Sequence, residues 1–427
     1  MGQRQSTHLR FTAKNSSSAE GNEAISPSLR VLLCILSVIT LVFSVGPTPP
    51  VLAAAAPARP VFVGFDAEQG HLTSTSDEAI SIGILTAMAE INTRGGVLDG
   101  RPLQLIIKDN RSVPARGIEN IRKFAAIPDL LAVVGGKFSP VILEEIPLLH
   151  ETKMIMLDAW GAADGIIDND HNPNYCFRLS LRDSWAIETM ITHAQKKGLS
   201  KLGVLFPTTS WGRSNDQAIR HYVSLHPEIT ITQSQWYHWG DQSLLDHYQL
   251  VLGSGAEAVL LIANEAEGSI LVKEVAALPP EQRFPIISHW GVSGGNFVTM
   301  AGKAIEELDF SVVQTFSFFD QRREEQKRTF YKTAGLLFQI HGPEDVVSPV
   351  GAAQAYDLIH ILALAVNRAG TTDRAKIRAA LEQVTKYDGL IKFYQQPFSP
   401  ERHEALAPKD LFMGTFRMDG SIHRIEP

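Results

Sequence analysis

Gly291-Val292-Ser293-Gly294-Gly295 has the G-x-S-x-G spacing that, between a strand and a helix, exposes a serine as a nucleophile for acyl transfer. Such a serine needs a histidine base and an acid to orient it. Asp345 with His360 or His403 could supply both, but no HGGG-type oxyanion segment accompanies them. Gly135-Gly136-Lys137 superficially resembles a phosphate loop, yet Leu131 stands at the first glycine position and Phe138 at the hydroxyl position. His150-Glu151 is followed by Thr-Lys-Met and does not complete HExxH. The two cysteines, Cys34 and Cys176, are too few for a disulfide framework, a four-thiolate zinc site or an iron–sulfur site. No cofactor and no structural metal are expected, and a non-enzymatic role is favoured over a serine hydrolase.

The remaining polar and aromatic candidates directly follow strand-like runs. Three such segments are Asp66 to His71 with Glu68, Lys137 to Ser139, and Asp158 to Gly161 with Ala159 and Trp160. Three more are Thr208 to Gly212 with Trp211, Asn264 to Glu267 with Glu265, and His289 to Ser293 with Trp290. In an open α/β sheet, ligands lie beyond the carboxyl ends of the strands, where helix N-termini offer free N–H groups and a positive dipole end. Each residue also has an ordinary explanation. Ser139 could be a plain N-cap, Asp66 and Glu68 could complement the first helix dipole, and Lys137 could be solvated rather than pair a ligand carboxylate. His289 could be a satisfied loop histidine. Large aromatics usually belong to a core, although Trp160 and Trp211 sit in loops beside Gly161 and Gly212.

The elements that must position these residues alternate strand and helix. Apolar or β-branched runs at 61–65, 103–109, 130–135, 153–158, 175–180, 201–206, 229–237, 258–263, 284–290 and 310–316 read as strands. Several lack polar alternation, as expected of strands buried on both faces. Between the first two runs, Ile80, Ile84, Ala87, Met88 and Ile91 recur at helical intervals. Thr75 and Glu78 have capping-box spacing before that helix, and Gly95-Gly96 ends it. Ten strands exceed one six-stranded sheet, and a second series starts at Lys201, so the fold class is α/β with two Rossmann-like doubly wound lobes. Helices are expected over 321–340, 349–368 and 373–384.

Composition limits the function classes. With 44% apolar and 20% charged residues the chain is an ordinary globular one, and 427 residues favour more than one domain. A net charge of −7 without a basic block excludes the usual footprint of nucleic-acid binding. Residues 1–55 read as an export signal: Arg4, Arg10, Lys14 and Arg30 precede the uncharged run 31–45, and Ala53 to Ala56 offer a cleavage site. The apolar run is shorter than the ~20 residues a bilayer needs, so cleavage is favoured over a permanent N-terminal anchor.

The stretch 61–110, VFVGFDAEQGHLTSTSDEAISIGILTAMAEINTRGGVLDGRPLQLIIKDN, resembles the opening of the Leu/Ile/Val-binding family of type I periplasmic solute-binding proteins. The likeness continues through AVVGGKFSP at 132–140, FRLSLRDS at 177–184, VLFPTTSWGRS at 204–214 and the helix at 352–381. The resemblance implies a periplasmic protein whose lobes are joined by a three-segment hinge. The first lobe would comprise 56–180 with about 315–395 returning to it, and the second 181–314 with about 396–427. It implies hinge closure on a small polar solute, amino acid-like or another carboxylate. The solute would then pass to the membrane permease of an ABC importer, or its occupancy to a sensory receptor.

Carried over by position, Ser139 resembles the hydroxyl that receives a ligand carboxylate, and Ala159 to Gly161 the segment whose amides hold the same group. Trp211 falls at the aromatic wall of the second lobe. Gly161 stands where branched-chain amino-acid binders usually carry a hydroxyl, and 290–295 has no acidic residue to hold an ammonium, a role left to Glu265 or Asp158. Asn264-Glu265 falls where those binders often have an aromatic residue. These departures point away from a plain branched-chain amino acid.

Overall fold

In a computed structural model the described residues, 58–69 and 74–426, build two largely parallel sheets with their helices. The expected leader at 1–55, together with Gly70 and His71 of the segment after the first strand, lies outside the described residues.

The first sheet is laid down by β1 (Val61–Ala67), α1 (Ser76–Thr93), β2 (Leu103–Asp109), α2 (Pro114–Ala125), β3 (Leu130–Gly135), α3 (Ser139–Glu151), β4 (Ile155–Asp158) and β5 (Cys176–Arg178). Its order is β2-β1-β3-β4-β5 and every pairing is parallel. The order reverses beside β1, so the loops after β1 and β3 flank an open crevice, the place where doubly wound sheets take ligands.

The chain then runs through α4 (Asp183–Lys196), β6 (Lys201–Pro207), α5 (Ser210–Leu225), β7 (Thr230–Tyr237), α6 (Leu245–Gly253) and β8 (Ala258–Leu261). It continues with α7 (Glu265–Ala276), β9 (Ile286–Ser288), α8 (Phe297–Ala301) and β10 (Phe310–Gln314). After α9 (Glu324–Phe338), α10 (Pro349–Ala369) and α11 (Arg374–Leu381) come a small hairpin, β11 (Tyr387–Asp388) with β12 (Phe393–Tyr394), and then β13 (Phe412–Phe416) and β14 (Ile422–Arg424). The second sheet has the order β14-β13-β10-β9-β8-β6-β7, with β13 and β14 antiparallel at one edge.

Strands β3 and β8 are buried at every position, which accounts for their unbroken apolar runs. Helix α10 is apolar and long enough to cross a membrane by composition, but most of it is buried against the first layer. It crosses α1 so closely that a Cβ on Gly83 would stand 2.2 Å from the Ala352 carbonyl oxygen.

The capping box expected at Thr75 does not form. Thr75 Oγ1 instead meets Ser348 Oγ at 2.7 Å, and the helix carries no side-chain cap bond. Strands β11 to β14 were not foreseen, being short and separated by turns such as the one at Gly420. One apolar cluster joins the two sheets: it contains Val134 and Leu157 of the first, Phe206, Leu260 and Val313 of the second, and Trp160, Trp211 and Trp290 between them.

Candidate functional site

The carboxyl ends of β3, β4, β6, β8 and β9 converge. Lys137, Ser139, Trp160, Trp211, Asn264 and Trp290, all expected from sequence, line one cavity there. Its volume is about 10 Å³, the space of a single water, so the two sheets are shut upon each other.

Ser139 is the first residue of α3 and does not act as its N-cap, a position held by Phe138. Its Oγ accepts the N–H groups of Ala162 at 3.0 Å and Ala163 at 3.1 Å. A hydroxyl has two acceptor sites and one donor, so the O–H hydrogen remains for an acceptor in the cavity. Lys137 follows the Gly135-Gly136 turn, and its ammonium is ion-paired with the Glu265 carboxylate at the first turn of α7. Both side chains are almost fully buried, 1% and 3% exposed, so this pair bridges the two sheets without water. Gly294 makes room for it: a Cβ there would lie 2.8 Å from Lys137 Nζ and 3.2 Å from the Trp160 ring.

The walls are indoles. Trp160 and Trp290 meet with ring centroids 5.4 Å apart, one from each sheet. Trp211, in the first turn of α5, donates its Nε1–H to Asp183 Oδ1 at 3.1 Å and stands edge-on to His289. His289 is fully buried behind Trp211. Its Nε2 is also 3.1 Å from Asp183 Oδ1, though off the hydrogen-bonding line, so it backs the tryptophans without lining the cavity.

Other expected residues lie elsewhere. Ala159 is buried in the apolar core. A Cβ on Gly161 would strike Ile166 and Ile142, so this residue faces the interior of the first layer. The N–H groups of Trp160 and Gly161, which the resemblance offered to a ligand, are turned inward onto Asp158 Oδ1 at 3.0 and 2.6 Å. Burial pushes the Asp158 carboxyl up to about 7. Glu68 accepts from Ser112 and gives its own N–H to Asp77, behind Gly136 rather than in the cavity. Asp66 is bound by Asn110 and Asn120, each at 2.7 Å.

Sequence reasoning missed three supports. Asp77, pushed up to about 7 by burial, accepts the Lys137 N–H at 3.1 Å. Asp183 holds Trp211. Arg178 pairs bidentately with Glu404 at 2.7 and 3.2 Å and donates to the Ala163 carbonyl at 2.8 Å, fixing the loop that serves Ser139. Asp183 lay inside the FRLSLRDS landmark; Asp77 and Glu404 carried no local signal.

The serine-hydrolase constellation is not assembled. Ser293 lies in a short 3-10 turn and donates its hydroxyl to the Trp290 carbonyl at 2.6 Å. His360 faces Glu90, His403 faces Glu382, and Asp345 accepts the His341 and Gly342 amides.

The model of the periplasmic binding protein family matches residues 61–417. The chain belongs to that family. No curated protein matches it. Among solved structures, a periplasmic binding protein type 1 from Bordetella pertussis Tohama I superposes with a TM-score of 0.77 at 17% identity, covering 86% of this chain and 100% of that one. The branched-chain amino acid transporter substrate binding protein LivJ from Streptococcus pneumoniae, solved with isoleucine, gives 0.71 at 18% over 86% and 100%. A solute binding protein of an ABC transporter from Rhodopseudomonas palustris BisB5, solved with 3,4-dihydroxybenzoic acid, gives 0.70 at 16% over 86% and 96%. In this periplasmic binding protein the two lobes are tied directly. Thr75 N–H and Ser74 Oγ–H donate to the Gly294 carbonyl at 2.9 and 3.0 Å, and Asp164 N–H donates to Ser214 Oγ at 3.2 Å.

Proposed function

We propose that this protein is exported to the periplasm, captures a small carboxylate-bearing solute between its lobes, and delivers it to the permease of an ABC importer. The observation that carries the reading is the unused Ser139 donor lining one cavity with Lys137, itself ion-paired with Glu265, inside indole walls. A carboxylate can take the Ser139 O–H and compete with Glu265 for the Lys137 ammonium, and the rings suit a flat or apolar body. Closure is a hinge motion in which a solute touching both lobes stabilises the shut form by its differential affinity. We place the hinge where the chain passes between sheets, near residues 180 and 315 and, in place of the expected 395, between Ala405 and Phe412, because 403–405 still pair with Arg178 of the first sheet. Binding needs no covalent step, consistent with a role as a solute-binding protein rather than an enzyme.

A thermal-shift screen of the secreted form against amino acids, aromatic acids, small dicarboxylates and the corresponding amides tests the reading. A carboxylate at ~100 times its Kd adds ~2.7 kcal/mol of stability, and its amide adds less. Stabilisation by amides alone, or by none of these compounds, contradicts it.

A further inference from the structure

A second and larger cavity, of about 120 Å³, shares the 290–295 loop with the tryptophan cleft but none of its lining residues. One wall is the loop between α9 and α10, with Pro343, Val346 and Val347; the other is formed by Val298 of α8 and by Phe318 after β10. Packing of α10 on α1 ties the first wall to the first lobe, whereas the second wall belongs to the second sheet. An apolar cavity of roughly 150 Å³ accepts benzene, so this one has the scale of a single ring.

Its charge is one-sided. Glu344 and Asp419 are exposed and therefore stand at the mouth, one from each wall, and among the described residues no lysine, arginine or histidine lines the cavity. Asp419 is held ionised by Ser421, whose backbone N–H donates to its Oδ1 at 2.9 Å. An anion entering here meets two carboxylates and no cationic side chain among the described lining residues, with His423 standing behind Ser421 at 2.9 Å. A cation with an apolar body meets the complementary arrangement.

We infer that this cavity is a second binding site, taking a small organic amine with its apolar body between Val298, Phe318 and Val346 and its ammonium at Glu344 and Asp419. The site differs from the tryptophan cleft, where Ser139 presents a donor and the Lys137 ammonium is balanced by Glu265; it rests on its own lining and not on the carboxylate reading.

Benzylamine, one ring bearing one ammonium, is the probe. Calorimetric titration of the full mature chain should show saturable binding below about 10 mM. Glu344→Gln/Asp419→Asn changes only exposed carboxylates and should weaken benzylamine at least about threefold at low salt, the difference shrinking as salt is added. Val347→Trp, at an exposed wall position, should block the mouth and abolish binding. Trp211→Phe, in the other cleft, should leave it unchanged. The assignment is overturned by no saturable binding, by undiminished binding to both mouth variants, or by loss of binding in Trp211→Phe. The last result would place benzylamine in the solute cleft, so failure here is separable from failure of the carboxylate reading.

Discussion

The indole of Trp160 lies 5.4 Å from that of Trp290 at an interplanar tilt of 37°, and the two rings join the cores of both lobes. That contact depends on two glycines. A Cβ on Gly351 would stand 2.9 Å from the Trp160 ring, and one on Gly294 would press on both that ring and Lys137 Nζ.

Gly294→Ala should therefore prop the cleft open slightly while leaving each lobe folded. Solute affinity is expected to fall roughly tenfold, with a stability loss of ~1–3 kcal/mol. Calorimetry with the best solute from the screen, alongside a urea melt, measures both.

Trp211 fills a wall and hands its N–H to Asp183. Trp211→Phe keeps a ring but forfeits that bond, and should weaken the solute by ~1–2 kcal/mol. Trp211→Ala removes the ring as well and should weaken it further, with some loss of stability because the side chain is only 6% exposed. An unchanged Kd in the alanine variant removes Trp211 from the binding wall.

The Lys137–Glu265 pair makes a thermodynamic cycle possible. Lys137→Met leaves the Glu265 carboxylate buried without its ammonium and should cost ~3–5 kcal/mol, whereas Lys137→Met/Glu265→Leu should cost much less. Urea unfolding of the two singles and the double supplies the coupling. Additive losses would mean that the pair does not bridge the lobes in solution.

Asp158 gives a pH dependence whose sign is fixed. Burial raises its carboxyl from 3.8 to about 7, so the folded protein holds this proton more tightly than the unfolded chain does. Its contribution is complete below about pH 4 and is lost as pH rises to about 7, at no more than about 1.4 kcal/mol per pH unit. Asp77, also raised to about 7 by burial, acts in the same direction. Asp158→Asn can keep Oδ1 on the Trp160 and Gly161 amides while placing its NH₂ at the Oδ2 position, which has no hydrogen-bond partner. It should flatten the fall in melting temperature between about pH 4 and 7; an unchanged slope in the variant would show that Asp158 ionises normally.

The strand series was legible because strands such as β3 and β8, buried on both faces, must be written as unbroken apolar runs. Ser139 and Trp211 were legible for a topological reason: residues after parallel strands converge whatever the family. The cap at Thr75 was misread because its hydroxyl is claimed by Ser348, far along the chain, which no local spacing reveals. Gly161 and Ala159 were candidates on the same topological ground as well as by resemblance, yet Asp158 captures the Trp160 and Gly161 amides and turns the segment inward. Asp77, Asp183 and Glu404 acquire their roles only through tertiary burial, and a carboxylate in sequence looks the same whether it is solvated or holds a tryptophan in place.

Small-angle scattering on the mature protein, with and without a saturating carboxylate whose binding calorimetry has established, tests the central claim most directly. Capture by closing lobes predicts a smaller radius of gyration in the bound sample. Superimposable profiles at full occupancy would contradict it.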